Sequence, residues 1–253
     1  MDLGLAGRAY VLTGASRGLG FATAQALVAE GARVVISSRN ADRVAAAVEQ
    51  LGGSDVAVGL GADLADETTP AHLVRLAFST FGRLDGALIS VGGPPRGTAL
   101  QATDDQWLQA FRSVHLGSIR MARTAADRLD EGGVIGFVLS TSVRQPIPGL
   151  GISNGLRPGL AGAAKDMADE LGPRGIRVVS LLPGRIATDR SRELLAAAPD
   201  PEQALAAIRA EIPLRRLGEP EDFGRVAAFV LSPAASYLTG LTVPIDGGAL
   251  RAY

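Results

Sequence analysis

Short apolar runs rich in β-branched residues alternate with longer amphipathic stretches along the whole chain. Seven runs, at 10–13, 33–37, 56–60, 84–91, 134–140, 176–182 and 241–245, carry the short, bounded pattern of strands. Between them, 19–30, 42–51, 70–81, 104–129, 160–171 and 220–231 repeat apolar positions at helical spacing. Strand and helix alternating in this way predict an α/β fold, a doubly wound, parallel seven-stranded sheet of the Rossmann type with right-handed crossovers and helices on both faces. No linker, repeat or low-complexity segment interrupts the pattern, so residues 1–253 read as a single domain. Pro199 and Pro201 mark only a break between two short helices after the sixth strand. In such sheets the ligand crevice lies beyond the carboxyl ends of the strands.

Composition narrows the chemistry. The chain has no cysteine, which removes disulfides, thiolate catalysis and thiolate metal ligation. His72 and His115 are the only histidines, so no metal site is expected. A net charge of −1 without basic runs gives no reason to expect nucleic acid or an anionic membrane as partner. No apolar stretch reaches the length of a membrane span, and residues 1–9 lack a basic region followed by an apolar run. The expectation is a soluble cytoplasmic protein acting on a small-molecule substrate. Lys165 is the sole lysine among 25 basic residues.

The segment Thr13-Gly14-Ala15-Ser16-Arg17-Gly18-Leu19-Gly20 leaves the first strand and enters the first helix. Glycines at 14, 18 and 20 permit a tight turn, close approach of backbone to a pyrophosphate and close packing of helix on strand. The helix N-terminus offers unpaired N–H groups to the anion. After the second strand, where a carboxylate would hold the ribose 2′-hydroxyl of NAD(H), stand Ser37-Ser38-Arg39. Arg39, assisted by Arg17, suits a 2′-phosphate, which favours NADP(H) over NAD(H); the plain alternative is a pair of solvated surface arginines. Asp63, past the third strand, reads either as an acceptor for the adenine amino group or as a helix N-cap.

With that turn in place the chain resembles the short-chain dehydrogenase/reductase family, particularly its β-ketoacyl-ACP-reductase-like members, from Leu5 to Gly248. The matching segments are the 13–20 turn, Asp63-Leu64, Pro183-Gly184 followed by Thr188, Gly218-Glu219-Pro220-Glu221, and the closing stretch 238–248. The resemblance implies a cofactor site formed by Gly14, Ser16, Arg17, Gly18, Leu19, Gly20, Ser38, Arg39, Asp63, Leu64, Gly92 and Arg157. Pro183, Gly184, Ile186 and Thr188 would line its nicotinamide end. It also implies a homotetramer and oxidoreduction of a small carbonyl or alcohol, 3-oxoacyl compounds included.

The family's chemistry uses an Asn, a Ser, and a Tyr followed four residues later by a Lys. Here Ser140 fills the Ser position, Ser153 the Tyr position and Arg157 the Lys position; His115, in Val114-His115-Leu116-Gly117, is assigned the Asn position. No Tyr-x-x-x-Lys exists: Tyr10 and Tyr237 are followed at the fourth residue by Gly14 and Leu241, and Tyr253 ends the chain. A serine hydroxyl is a far weaker acid than a tyrosine's, and a guanidinium does not relay protons as an amine does. His115 has a pKa suited to proton transfer, its other reading being a structural residue in the kinked middle of a long helix. Pro158 disfavours helical torsions at Arg157, so the helix is expected to begin after it. Three readings stay open: an atypical reductase, a catalytically impaired cofactor-binding protein acting as sensor or partner subunit, and a nicotinamide-dependent dehydratase.

Overall fold

The computed structural model describes residues 1–252 apart from the side chains of Arg190 and Leu194, so Tyr253 lies outside the described residues. Seven parallel strands form one sheet in the order β3-β2-β1-β4-β5-β6-β7. They are β1 (Ala9–Thr13), β2 (Arg33–Ser38), β3 (Ala57–Gly61), β4 (Gly86–Ile89), β5 (Val134–Val138), β6 (Arg177–Pro183) and β7 (Leu241–Ile245). The chain winds outward from β1 to β3, then returns to β4 on the other side of β1. That reversal of direction creates a crevice between the carboxyl ends of β1 and β4.

Alternation along the strands builds two cores. Val11 and Val35 face one layer, while Tyr10, Leu12, Val34 and Ile36 face the other. The first layer is α3 (Thr69–Phe81), α5 (Gly117–Ala126) and α6 (Gly151–Leu171); the second is α1 (Gly18–Ala29), α2 (Ala41–Leu51) and α9 (Pro220–Leu231). Small residues let the helices approach: Gly224 on α9 sits so close to α1 that an added Cβ would meet the Ala22 carbonyl oxygen at 2.5 Å. The excursion after β6 carries α7 (Asp189–Ala196) and α8 (Pro201–Glu211), as the proline break predicts.

Two expected helices differ. The stretch 104–129 is not one uniform helix: α4 (Asp104–Ala110) passes into a π-helical segment, Phe111–Leu116, before α5 begins. The expected helix 160–171 begins instead at Gly151 and runs through Pro158. Tertiary contacts override the local signal. Asn154 clamps the preceding loop by accepting from Ile147 N (3.1 Å) and donating to Ile147 O (2.9 Å). Gly155 admits Trp107, whose ring would lie 2.6 Å from any Cβ there. Among the described residues no helix is long and apolar enough to cross a membrane.

Candidate active site

The carboxyl ends of the central strands open onto a cleft of about 820 Å³. One wall is the turn between β1 and α1. Gly14 has φ +60°, and a Cβ there would meet the Ser90 carbonyl oxygen at 2.7 Å, so only glycine closes this corner. Thr13 Oγ1 donates to that same carbonyl (2.8 Å) and accepts from Ser90 N (2.9 Å), which fixes the end of β1 to the end of β4. Helix α1 starts without a side-chain cap and without an acidic residue in its first turn. Its first N–H groups therefore remain available to an anion.

Most residues expected to hold a cofactor meet here: Gly14, Ser16, Arg17, Gly18, Leu19, Gly20, Ser38, Arg39, Asp63, Leu64, Gly92, Arg157, Pro183 and Thr188 all line the cleft. Gly184 and Ile186 do not. They stand behind its wall, Gly184 against Asp246 and Ile186 against Gly218. Asp63 is exposed and accepts from Ala65 N (2.9 Å), while Thr68 precedes α3, so the helix-cap alternative for Asp63 fails.

At the outer end Arg17 and Arg39 are joined by Arg43, which the sequence reading missed. None of the three guanidiniums has a hydrogen-bonding or ionic partner in the protein among the described residues. The signal for Arg43 was its place four residues past Arg39 in the first turn of α2. Asn40 fixes that turn by accepting from Arg43 N at 2.8 Å.

At the floor lies Arg157, only 6% exposed. Its Nε donates to Ser153 Oγ (3.2 Å), one terminal nitrogen to Val138 O (3.0 Å) and the other to Val91 O (3.5 Å). It thus ties α6 to the ends of β4 and β5. Burial without a carboxylate partner pulls its pKa below the ordinary arginine value, to about 10, and the group stays charged at neutral pH.

The remaining catalytic expectations divide. Ser153 is buried and reaches the cleft only through Arg157, while Ser140 is half-buried and accepts from Ser142 N at 3.1 Å. Neither is part of the cleft lining; Val138 and Leu139 are. His115 is also absent from the lining. Val114 faces the cleft at that point, whereas His115 stacks on Phe111 (5.2 Å) and sets Nδ1 against Leu156 O at 3.4 Å. Adjacent helical residues point about 100° apart, and the π-helical turn shifts the register that sequence spacing assumes.

The chain is similar to known proteins over nearly its whole length. A family model described as enoyl-(acyl carrier protein) reductase matches residues 14–249. The L-rhamnose 1-dehydrogenase (NAD(P)+) of Azotobacter vinelandii is 33% identical, covering 95% of this chain and 96% of its own. The solved L-sorbose reductase of Gluconobacter frateurii, complexed with NADPH and L-sorbose, superposes with a TM-score of 0.90 at 28% identity over 100% of both chains. A solved short-chain oxidoreductase of Pseudomonas aeruginosa PAO1, described as containing an atypical catalytic center, gives a TM-score of 0.91 at 27% identity over 100% of both chains.

Proposed function

The chain belongs to the short-chain dehydrogenase/reductase family, and from that premise we propose that it is a cytoplasmic, homotetrameric NADP(H)-dependent oxidoreductase with an atypical site for a small carbonyl or alcohol. The observation that carries this reading is the cluster Arg17, Arg39 and Arg43 at one end of a cleft that opens at an uncapped helix N-terminus. The residues fit the dinucleotide. The glycine turn would cradle its pyrophosphate, the three arginines its 2′-phosphate, and Pro183 and Thr188 would border the nicotinamide end. NADP(H), when bound, supplies or accepts hydride.

The chain's own residues do the positioning. Arg157 would offer its remaining N–H donors to the nicotinamide ribose, beside the apolar side chains of Val138, Leu139 and Val114 that line the cleft. Arg157 and Ser153 stand where a Lys and a Tyr serve the family, so proton delivery by that pair is absent. NADPH and NADH titrated against the protein, followed by fluorescence, test the cofactor assignment. NADPH should bind more tightly, and Arg39→Asp should reverse the order; equal affinity of the unmodified protein for both would overturn it.

The second reading, a cofactor-binding protein without turnover, draws on the same missing Tyr and Lys. A carbonyl-substrate screen with bound NADPH separates the two.

A further inference from the structure

The first two turns of α6 hold three separate segments beside the cleft. Gly151 receives the backbone of 98–99, and an added Cβ there would run into Ala99 N. Gly155, one turn on, receives the Trp107 ring. Ser153 and Arg157 serve the floor of the cleft, joined by the bond from Arg157 Nε to Ser153 Oγ. Asn154 serves the third segment, the loop 144–150 that follows β5. Its side-chain amide meets both polar groups of one residue, accepting from Ile147 N (3.1 Å) and donating to Ile147 O (2.9 Å). A carboxylate would supply only acceptors, and a hydroxyl only one atom, so neither replaces it.

The hold extends beyond Ile147. Two residues further, Gly149 O accepts from Gly97 N (2.9 Å), and Gly97 O accepts from Gly151 N (2.9 Å). Gly97 lies two residues past Pro95, where the run 90–95 that lines the cleft ends. That wall is therefore anchored twice, at Ser90 through Thr13 and at Gly97 through the loop that Asn154 holds. Glycines at 92 and 93 lower the intrinsic stiffness of its backbone, so the anchors decide its shape.

We propose that Asn154 is a positioning residue for the oxidoreduction inferred above, registering the wall 90–95 against Arg157 and so shielding the nicotinamide end from solvent. This rests on the NADP(H) reading. Asn154 does not itself line the cleft, so it acts through the loop it holds. It shares a helical turn with Ser153 and Arg157, and a slip of the loop on α6 alters the gap between the wall and the guanidinium. Reacting atoms must be held near about 3–3.5 Å, so that gap matters even where no bond to the cofactor is lost.

The test first titrates NADPH against the unmodified protein and Asn154→Ala, read by nicotinamide emission. Both should bind it, because the glycine turn and the arginine cluster lie at the other end of the cleft. Amide hydrogen exchange then follows Ile147, Gly97 and Gly151. In the unmodified protein at low denaturant the three should open together, as one unit with one free energy. In Asn154→Ala, Gly97 and Gly151 should exchange about tenfold faster, although neither bonds to the Asn154 side chain. Ala15 N, which donates to Ser37 O beside the glycine turn, should keep its rate. The emission of NADPH bound to the variant should also lose its protection from acrylamide, a signature that a merely structural role would not give. The exchange of the unmodified protein decides the matter even where the variant does not fold. Separate openings of the three amides, unchanged exchange of Gly97 and Gly151 in the variant, unaltered quenching, or loss of NADPH binding by the variant alone would each overturn the inference while leaving the cofactor reading intact. Failure of the unmodified protein to bind NADPH would overturn both.

Discussion

At the scale of single residues, the glycine turn between β1 and α1 was legible because its glycines answer to backbone geometry, which spacing reveals. Gly14 is required by a positive φ and by the Ser90 carbonyl beside it, two constraints written into one position. Arg43 was not legible, since its role depends on helix α2 folding back beside Arg39. Its exposed guanidinium is expected to contribute about 1 kcal/mol to binding a 2′-phosphate, a roughly fivefold effect, because solvent screens a surface contact. Arg43→Ala should therefore weaken NADPH binding about fivefold and leave NADH binding unchanged, as read by titration of each cofactor. His115 shows the opposite difficulty. An imidazole was the natural acid on paper, and in the fold the His115 ring stacks on Phe111 and sets Nδ1 against Leu156 O.

At the scale of elements, strands were placed well by apolar runs, yet β4 and β5 end earlier than the runs imply. Val91 and Leu139, just beyond the two strands, are apolar residues that line the cleft instead of extending the ladder. Helix α6 was obscured by the local signals of Asn154-Gly155 and Pro158. Its start is set by long-range pairing: Gly97 N donates to Gly149 O (2.9 Å) and Gly151 N to Gly97 O (2.9 Å), joining the loops that follow β4 and β5. No sequence window contains both partners. Pro158 remains a local cost, because its missing N–H leaves the Asn154 carbonyl without its helical donor and its ring crowds that carbonyl. Pro158→Ala should raise stability by about 1–3 kcal/mol, less the entropy the unfolded chain regains, measured as a higher denaturation midpoint with unchanged slope. An unchanged or lower midpoint would mean that the loop clamp has already relaxed the helix around the proline.

At the scale of the molecule, the sheet carries its two functions at opposite ends. Away from the cleft, Asp85 binds Arg83 through both oxygens (2.8 and 2.7 Å), Arg8 at 2.9 Å and Ala9 N at 2.9 Å, anchoring the starts of β1 and β4. At the cleft end Arg17, Arg39, Arg43 and Arg157 have no ionic partner among the described residues. On the flank, Leu108 and Phe111 are 54% and 41% exposed on consecutive turns of the α4 and π-helical segment. Large apolar side chains in that position suit a subunit contact. The unmodified protein should sediment at micromolar concentration as four 26.0 kDa chains, and Leu108→Asp with Phe111→Asp should shift it to smaller species. A monomer before mutation would refute the assembly.

The central proposal is that the cleft binds NADP(H) and that Ser153 and Arg157 do not deliver a proton as the family's Tyr and Lys do. The continuous helix α6 keeps positions 153 and 157 one turn apart, so the family's own pair can be reinstated in register. The direct measurement is the rate of NADPH-dependent reduction of a simple ketone by the unmodified protein and by the Ser153→Tyr, Arg157→Lys double variant. The unmodified protein should be slow and the variant faster by about 10²–10⁴, the contribution of a positioned acid. An unmodified protein that reduces the ketone as fast as the variant would contradict the account.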